Sequence, residues 1–262
     1  MIKKETLVRF LRSKKREIIA GLVFLGVTLF LVWSGIFSIV DFYSSPPYVD
    51  PERYPIRGID VSQHNGLMNL DAARADGIEF IFIKATEGVS HRDQNFRINY
   101  LKAHHAGMKI GAYHYFRFDK DGIDQAKNFL ETVGKRRLEL GLAIDVEDQG
   151  NAIGVPADVV VQRLTMMMEY LNLNGKRVIL YTNKVGYEKY LMNAFAGYPL
   201  WICSFSSTPI DAEWTFWQYN HRGKVDGIIG DVDLNAFCGR HEEWKNFLNG
   251  KLWPYAPSQK NP

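Results

Sequence analysis

Three apolar runs of this 262-residue chain lead into acids. RGIDVSQHNG carries Asp60, LAIDVEDQG carries Asp145 and Glu147, and GDVDLNAF carries Asp231 and Asp233. On a strand, residues two apart point to the same side with Cα atoms about 6.6 Å apart, so Asp145 and Glu147 form a same-side pair. Two close carboxyls raise one another's proton affinity, and one can then stay protonated near neutral pH. Glycoside hydrolysis needs this combination: one acid to protonate the leaving oxygen, and one anion as base, nucleophile or cation stabiliser. The same D-x-E can also ligate a metal or form structural ion pairs. Tyr113, Tyr115, Tyr181, Trp201, Trp217 and Tyr219 fall near the same strand ends. Sugars stack on such flat apolar faces, although each aromatic taken singly reads first as a core side chain.

Short β-branched or aromatic runs must position these groups. Ile56–Val61, Phe80–Ala85, Ile110–Tyr115, Leu142–Val146, Val178–Tyr181, Leu200–Cys203, Trp214–Tyr219 and Val232–Phe237 read as strands. Helices are expected at Leu70–Asp76, Phe96–Ala106, Gly122–Val133, Ala157–Leu173 and Lys184–Met192. In the fourth, Val160, Leu164, Met167 and Leu171 keep helical spacing behind Pro156, and Met166 to Met168 read as core filler. The alternation predicts an α/β fold, a largely parallel sheet with helices outside it. Eight strands in about 200 residues predict a β/α barrel, whose chemistry gathers at the C-terminal strand ends.

The chain before residue 55 has another character. Residues 1–17 hold seven Lys/Arg against two Glu, and the remainder holds 25 Lys/Arg against 27 acids. A near-neutral body excludes the electrostatic footprint of a nucleic-acid binder. Residues 18–40, IIAGLVFLGVTLFLVWSGIFSIV, carry no charge. A helix of that length spans about 34 Å, enough for a bilayer core of ~30 Å. The basic flank predicts a cytoplasmic segment at 1–17, a transmembrane anchor at 18–40 and an exported body in the periplasm or extracellular space. A cleaved signal peptide fits less well, because the run is long and WSGIFS is a poor cleavage site. Residues 41–54, DFYSSPPYVDPERY, read as a Pro/Ser-rich linker. The globular unit is expected at 55–253, followed by a flexible tail at 254–262. Two cysteines are too few for a disulfide scaffold.

The segments GIDVSQHNG, FIFIKATEGVSHRDQNFRINYLKAHHAGMKIGAYHYF, LAIDVED, VILYTN, YPLWICSF and FWQYNHRGKVDGIIGDVDLNAF occur in this order and resemble glycoside hydrolase family 25, the Chalaropsis-type lysozymes. The resemblance implies an irregular β/α barrel with fewer helices in its last part. It implies hydrolysis of the β-1,4 bond between N-acetylmuramic acid and N-acetylglucosamine in peptidoglycan. By the matched motifs Glu147 is the general acid, and Asp145 its partner at the N-acetyl group or the developing cation. Asp60 lies in the acidic floor, and Asp233, rather than its neighbour Asp231, is the fourth acid. Lys84, Glu87, Tyr113, His114, Tyr181, Trp201 and Gln218 match recurrent positions. Tyr113, Tyr181, Trp201, Gln218 and Tyr219 form the expected substrate-contacting set. Two positions depart from the pattern: Cys203 stands where alanine is common, and Leu70 replaces an aromatic. A Cys203–Cys238 bridge is conceivable in an oxidising compartment.

The expected partners are peptidoglycan strands and, through 18–40, a membrane. The catalytic domain is expected to be monomeric, with no metal and no cofactor. HExxH, phosphate-loop and GxSxG motifs are missing from the chain. Two competing functions remain: a non-catalytic, membrane-anchored wall-binding protein that keeps the cleft, and a metal-dependent deacetylase or hydrolase using Asp60, His64 and Asp145.

Overall fold

The computed structural model describes residues 47–205, 209 and 213–251, together with 23 and 25–27. The chain divides into two units, Met1–Ser45 and Pro46–Pro262. In the first, only Val23, Leu25, Gly26 and Val27 are described; they are helical and exposed. The expected anchor and tail therefore lie almost wholly outside the described residues. Among those residues, no helix is long and apolar enough to cross a membrane.

In the second unit all eight expected strands form. They are β1 (Arg57–Val61), β2 (Ile78–Glu87), β4 (Lys109–Tyr115), β5 (Gly141–Asp145), β6 (Val178–Asn183), β7 (Leu200–Cys203), β8 (Phe216–Gly223) and β9 (Val232–Phe237). A short β3 (His91–Arg92) pairs with the end of β2. β1 bonds to both β2 and β9, which closes the eight strands into a ring. Seven strands run parallel, whereas β9 is antiparallel to both β8 and β1. That inversion follows from the β8–β9 connection, Lys224–Asp231: it is long enough to reverse the chain but too short for the crossover of a dozen or more residues that a parallel neighbour needs.

The period-2 pattern of the strands sorts side chains into two cores. Ile59, Ile81, Ile83, Ile110, Leu142 and Leu180 pack outward against the helices. Phe80, Phe82, Ala143, Ile179, Trp201, Phe216 and Phe237 fill the barrel interior. Gly58 and Gly111 make room there, since a Cβ at either would lie 2.3–2.4 Å from the rings of Phe80 and Phe82. Helices Gly122–Val133 and Ala157–Leu173 form with the expected bounds. The first is capped by Asp121, whose side chain accepts from Asp124 N. The second buries Val160, Leu164, Met167 and Leu171 as their spacing requires. Lys184–Met192 is less regular than expected: a helical turn at Lys184–Gly186 passes into a π-helical turn at Tyr187–Leu191.

Two features depart from the sequence expectation. Tyr54, assigned to the linker, is 6% exposed and packs against Trp214 and Trp217, with ring centroids 5.5 and 6.2 Å away. The Pro/Ser composition marks a spacer, but a single large aromatic gains more by burial than the spacer gains by freedom. The helix His241–Leu248 was not anticipated. It buries Trp244 and Phe247 among the interior rings, where Trp244 lies 4.9 Å from Phe237 and 5.6 Å from Phe80. These rings close the barrel end at which the parallel strands begin.

Candidate active site

At the other end of the barrel lies a cleft of about 820 Å³. Asp60, Asp145, Glu147 and Asp233 all line it, as do Tyr113, Tyr181, Trp201 and Gln218. Sheet register explains the convergence. Asp60 on β1 stands directly opposite Asp233 on β9. Asp145 is the last ladder residue of β5, between Tyr115 and Tyr181. Glu147 lies two residues further on and is half-buried.

Asp60 is buried, and its Oδ2 accepts from Gln218 Nε2 and Asn235 Nδ2, each at 2.8 Å. Trp201 Nε1 donates to Asn235 Oδ1 at 2.7 Å. Indole nitrogen is donor-only, so this bond fixes the Asn235 amide with its N–H toward Asp60. Tyr181 OH donates to Gln218 Oε1 at 2.8 Å. Beneath these groups Trp201 stacks on Phe82 at 4.4 Å and meets Tyr181 edge-on at 4.6 Å. Trp201 is only 2% exposed, so it is the floor of the cleft rather than a free stacking face.

Burial raises the proton affinity of all four acids. Asp60 lies well above the usual carboxylate range, through desolvation and then the charge of Asp233. Asp145 is raised by desolvation and by Glu147, and Glu147 by desolvation and by Asp233, with Lys84 opposing both rises. Asp233 is pushed up to about 6 by burial. Among the described residues, the buried Asp145 Oδ1 meets no hydrogen-bond donor.

These shifts have a cost that folding bears. A carboxyl whose folded pKa exceeds its unfolded value binds protons more tightly when folded. The penalty is absent below about pH 4, grows between about 4 and 6 for Asp233, and is full above that. Asp233→Asn should therefore stabilise the protein at pH 7.5 by up to ~2 kcal/mol and change little at pH 4. Urea midpoints at the two pH values measure this, and a variant less stable than wild type at pH 7.5 contradicts it.

Other expected residues lie elsewhere. Tyr219 does not line the cleft; it packs with Trp217 at 5.6 Å in the outer core, because neighbouring strand residues face opposite sides. His114 is buried on the outer side of β4, between Thr86 Oγ1 at 2.7 Å and Gln125 Oε1 at 3.1 Å. Burial pulls its pKa down to about 4. Glu87 is an ion-pair partner, 2.9 Å from the cleft-lining Lys84 and 3.5 Å from Arg117. Asp231 is exposed and paired with Lys224 at 2.6 Å. His64 is exposed, and no group of three or more metal-ligating side chains is present among the described residues. Cys203 lines the cleft and Cys238 is exposed; neither is bridged. Burial pushes the Cys203 thiol up to about 12, which keeps it a protonated, weakly nucleophilic lining group.

Sequence reasoning missed Asn235, and it named Tyr115 only among the strand-end aromatics, outside the substrate-contacting set. The same period-2 rule signals both: Asn235 follows Asp233 by two, and Tyr115 follows Tyr113 by two.

A β/α barrel with four desolvated carboxyls over an aromatic floor at its C-terminal mouth is the constitution of a glycosidase. The chain belongs to Glycosyl hydrolases family 25, whose profile matches residues 59–228, and it is a glycoside hydrolase. It superimposes on a family 25 glycosyl hydrolase from Bacillus anthracis with a TM-score of 0.71 and 36% identity, covering 77% of this chain and 96% of that one. A bacterial lysozyme from Streptomyces coelicolor gives 0.67 and 30% identity, covering 74% and 97%. The autolytic lysozyme of Clostridium acetobutylicum is 34% identical over 184 residues, 70% of this chain and 56% of that protein.

Proposed function

We propose that this protein is a membrane-anchored muramidase that cleaves the β-1,4 bond between N-acetylmuramic acid and N-acetylglucosamine in peptidoglycan. The observation that carries this reading is the meeting of Asp60, Asp145, Glu147 and Asp233 in one cleft with raised proton affinities. The lysozyme names of similar proteins support the substrate.

Glu147 is the general acid. It lies two residues beyond the end of β5 and lines the cleft, and burial and Asp233 keep it protonated at higher pH than a free glutamate. Its proton passes to the bridging oxygen as the bond from that oxygen to the anomeric carbon of N-acetylmuramic acid breaks. Water then adds hydroxide to that carbon and returns a proton to Glu147. Asp145 engages the 2-acetamido group, a role supported by its buried Oδ1, which meets no donor among the described residues. Asp233, ionised above about pH 6, holds negative potential near the developing cation, and Asp60 beside it is fixed by Gln218 and Asn235. Tyr113, Tyr181 and Gln218 border the sugar, and Trp201 supports them from below. The charge-free run at 18–40 behind its basic flank supports an anchor with the barrel on the exported side.

One experiment tests both parts. Carbonate-washed membranes from cells producing the full chain are incubated with purified sacculi. Muropeptides with new reducing N-acetylmuramic acid ends are expected by mass spectrometry. Release by the carbonate-soluble fraction alone removes the anchor. Binding to sacculi without release, in either fraction, favours the non-catalytic wall binder.

A further inference from the structure

The register of β5 ends at Asp145, so Glu147 stands beyond the strand ladder. The turn that follows, Asp148–Asn151, is stitched to the end of β4 and the segment after it, and through Asp148 to Lys189 and Tyr190. Tyr115 OH donates to Gln149 O, and Arg117 Nη1 donates to Gly150 O at 2.6 Å. Gly150 has φ +78, and a Cβ there would lie 2.9 Å from Tyr115 OH. The central tie is Asn151. Its Nδ2 donates to Glu147 O and to Phe116 O, each at 2.9 Å, and its Oδ1 accepts from Phe118 N at 2.8 Å. One side chain thus commits both kinds of amide capacity to three backbone groups. One of them belongs to the residue read as the general acid.

We propose that Asn151 is the positioning residue for Glu147, fixing the backbone from which the acid reaches the bridging oxygen. The proposal rests on the reading of Glu147 given above. Proton transfer in the transition state demands placement to a fraction of an ångström, and a shift of about 1 Å can cost ~10²-fold in rate. Val146 before Glu147 bonds Tyr181 O and Thr182 Oγ1, and Asp148 after it bonds Lys189 and Tyr190, whereas the Asn151 side chain is the group that bonds the Glu147 carbonyl itself.

The test separates proton delivery from general damage by changing the leaving group. The full chain in detergent is assayed on a wall-derived glycan, whose sugar leaving group needs a proton. It is also assayed on the same glycon carrying 2,4-dinitrophenolate, which leaves without one. Asn151→Ala should lower kcat on the glycan about 10²-fold, with KM and the dinitrophenyl rate each changed less than about threefold. Asn151→Asp retains an acceptor for Phe118 N–H but offers no N–H to Glu147 O, and it should show the same split. It carries the comparison if Asn151→Ala does not fold. Equal losses on both substrates, or a change in KM alone, overturn the proposal. Glu147→Gln is the control. If it shows no split, the acid assignment itself fails; if it shows one and the Asn151 variants do not, only the role of Asn151 fails.

Discussion

Glu147→Gln is expected to lower kcat on sacculi by about 10²–10⁴-fold, the usual contribution of a general acid. That range corresponds to ~3–5 kcal/mol of transition-state stabilisation. Glutamine keeps the length and shape of the side chain but has no proton to give, so KM should change little, and stability at neutral pH should not fall, because the raised proton affinity of Glu147 costs stability there. The wild-type rate should fall as pH rises through the Glu147 pKa, which burial and Asp233 place above the ordinary glutamate range. The variant should lose that alkaline limb. A variant within about threefold of wild type, with the limb retained, assigns the proton to another group.

Trp244→Ala is expected to destabilise the barrel by about 3–5 kcal/mol, as for large buried aromatics truncated to alanine. Trp244 is 6% exposed and lies against Phe80, Phe216, Phe237 and Phe247, with centroids 4.9–6.4 Å away. Its removal opens a void bordered by rings that face one another across a closed sheet. Such rings relax poorly into a void, because the sheet fixes their backbones. Chemical denaturation at neutral pH measures the loss. A change below about 1 kcal/mol means that the helix His241–Leu248 does not close the barrel floor.

The strands were legible because their signal is local. A run such as FIFIKA is apolar on both faces and β-branched or aromatic, and it reads as a doubly buried strand whatever lies beside it. Helix bounds at Ala157–Leu173 were legible for the same reason: Pro156 and the 3.6-residue spacing act within one or two turns. His241–Leu248 escaped because its buried residues, Trp244 and Phe247, are only two, and their reason for burial is the hollow end of a barrel formed by distant strands. Tyr54 escaped likewise, since its partners Trp214 and Trp217 lie some 160 residues on.

For the site, the strand-end acids Asp60, Asp145, Glu147, Asp231 and Asp233 were legible because strand-end position and period-2 facing are properties of short segments, and the family resemblance chose Asp233 over Asp231. Sequence reasoning placed Tyr219 in the cleft, and the strand parity that decides against this was available at Gln218. What only the tertiary structure decided is how four of those acids meet. Asp60 and Asp233 are 173 positions apart in the chain, yet they are register partners across β1 and β9. The polarity of the Trp201–Asn235–Asp60 chain, the unsatisfied oxygen of Asp145 and the Asn151 tie under Glu147 likewise depend on contacts between separate strands and turns. Proton affinity follows desolvation and neighbouring charge, and both are set only when the sheet closes.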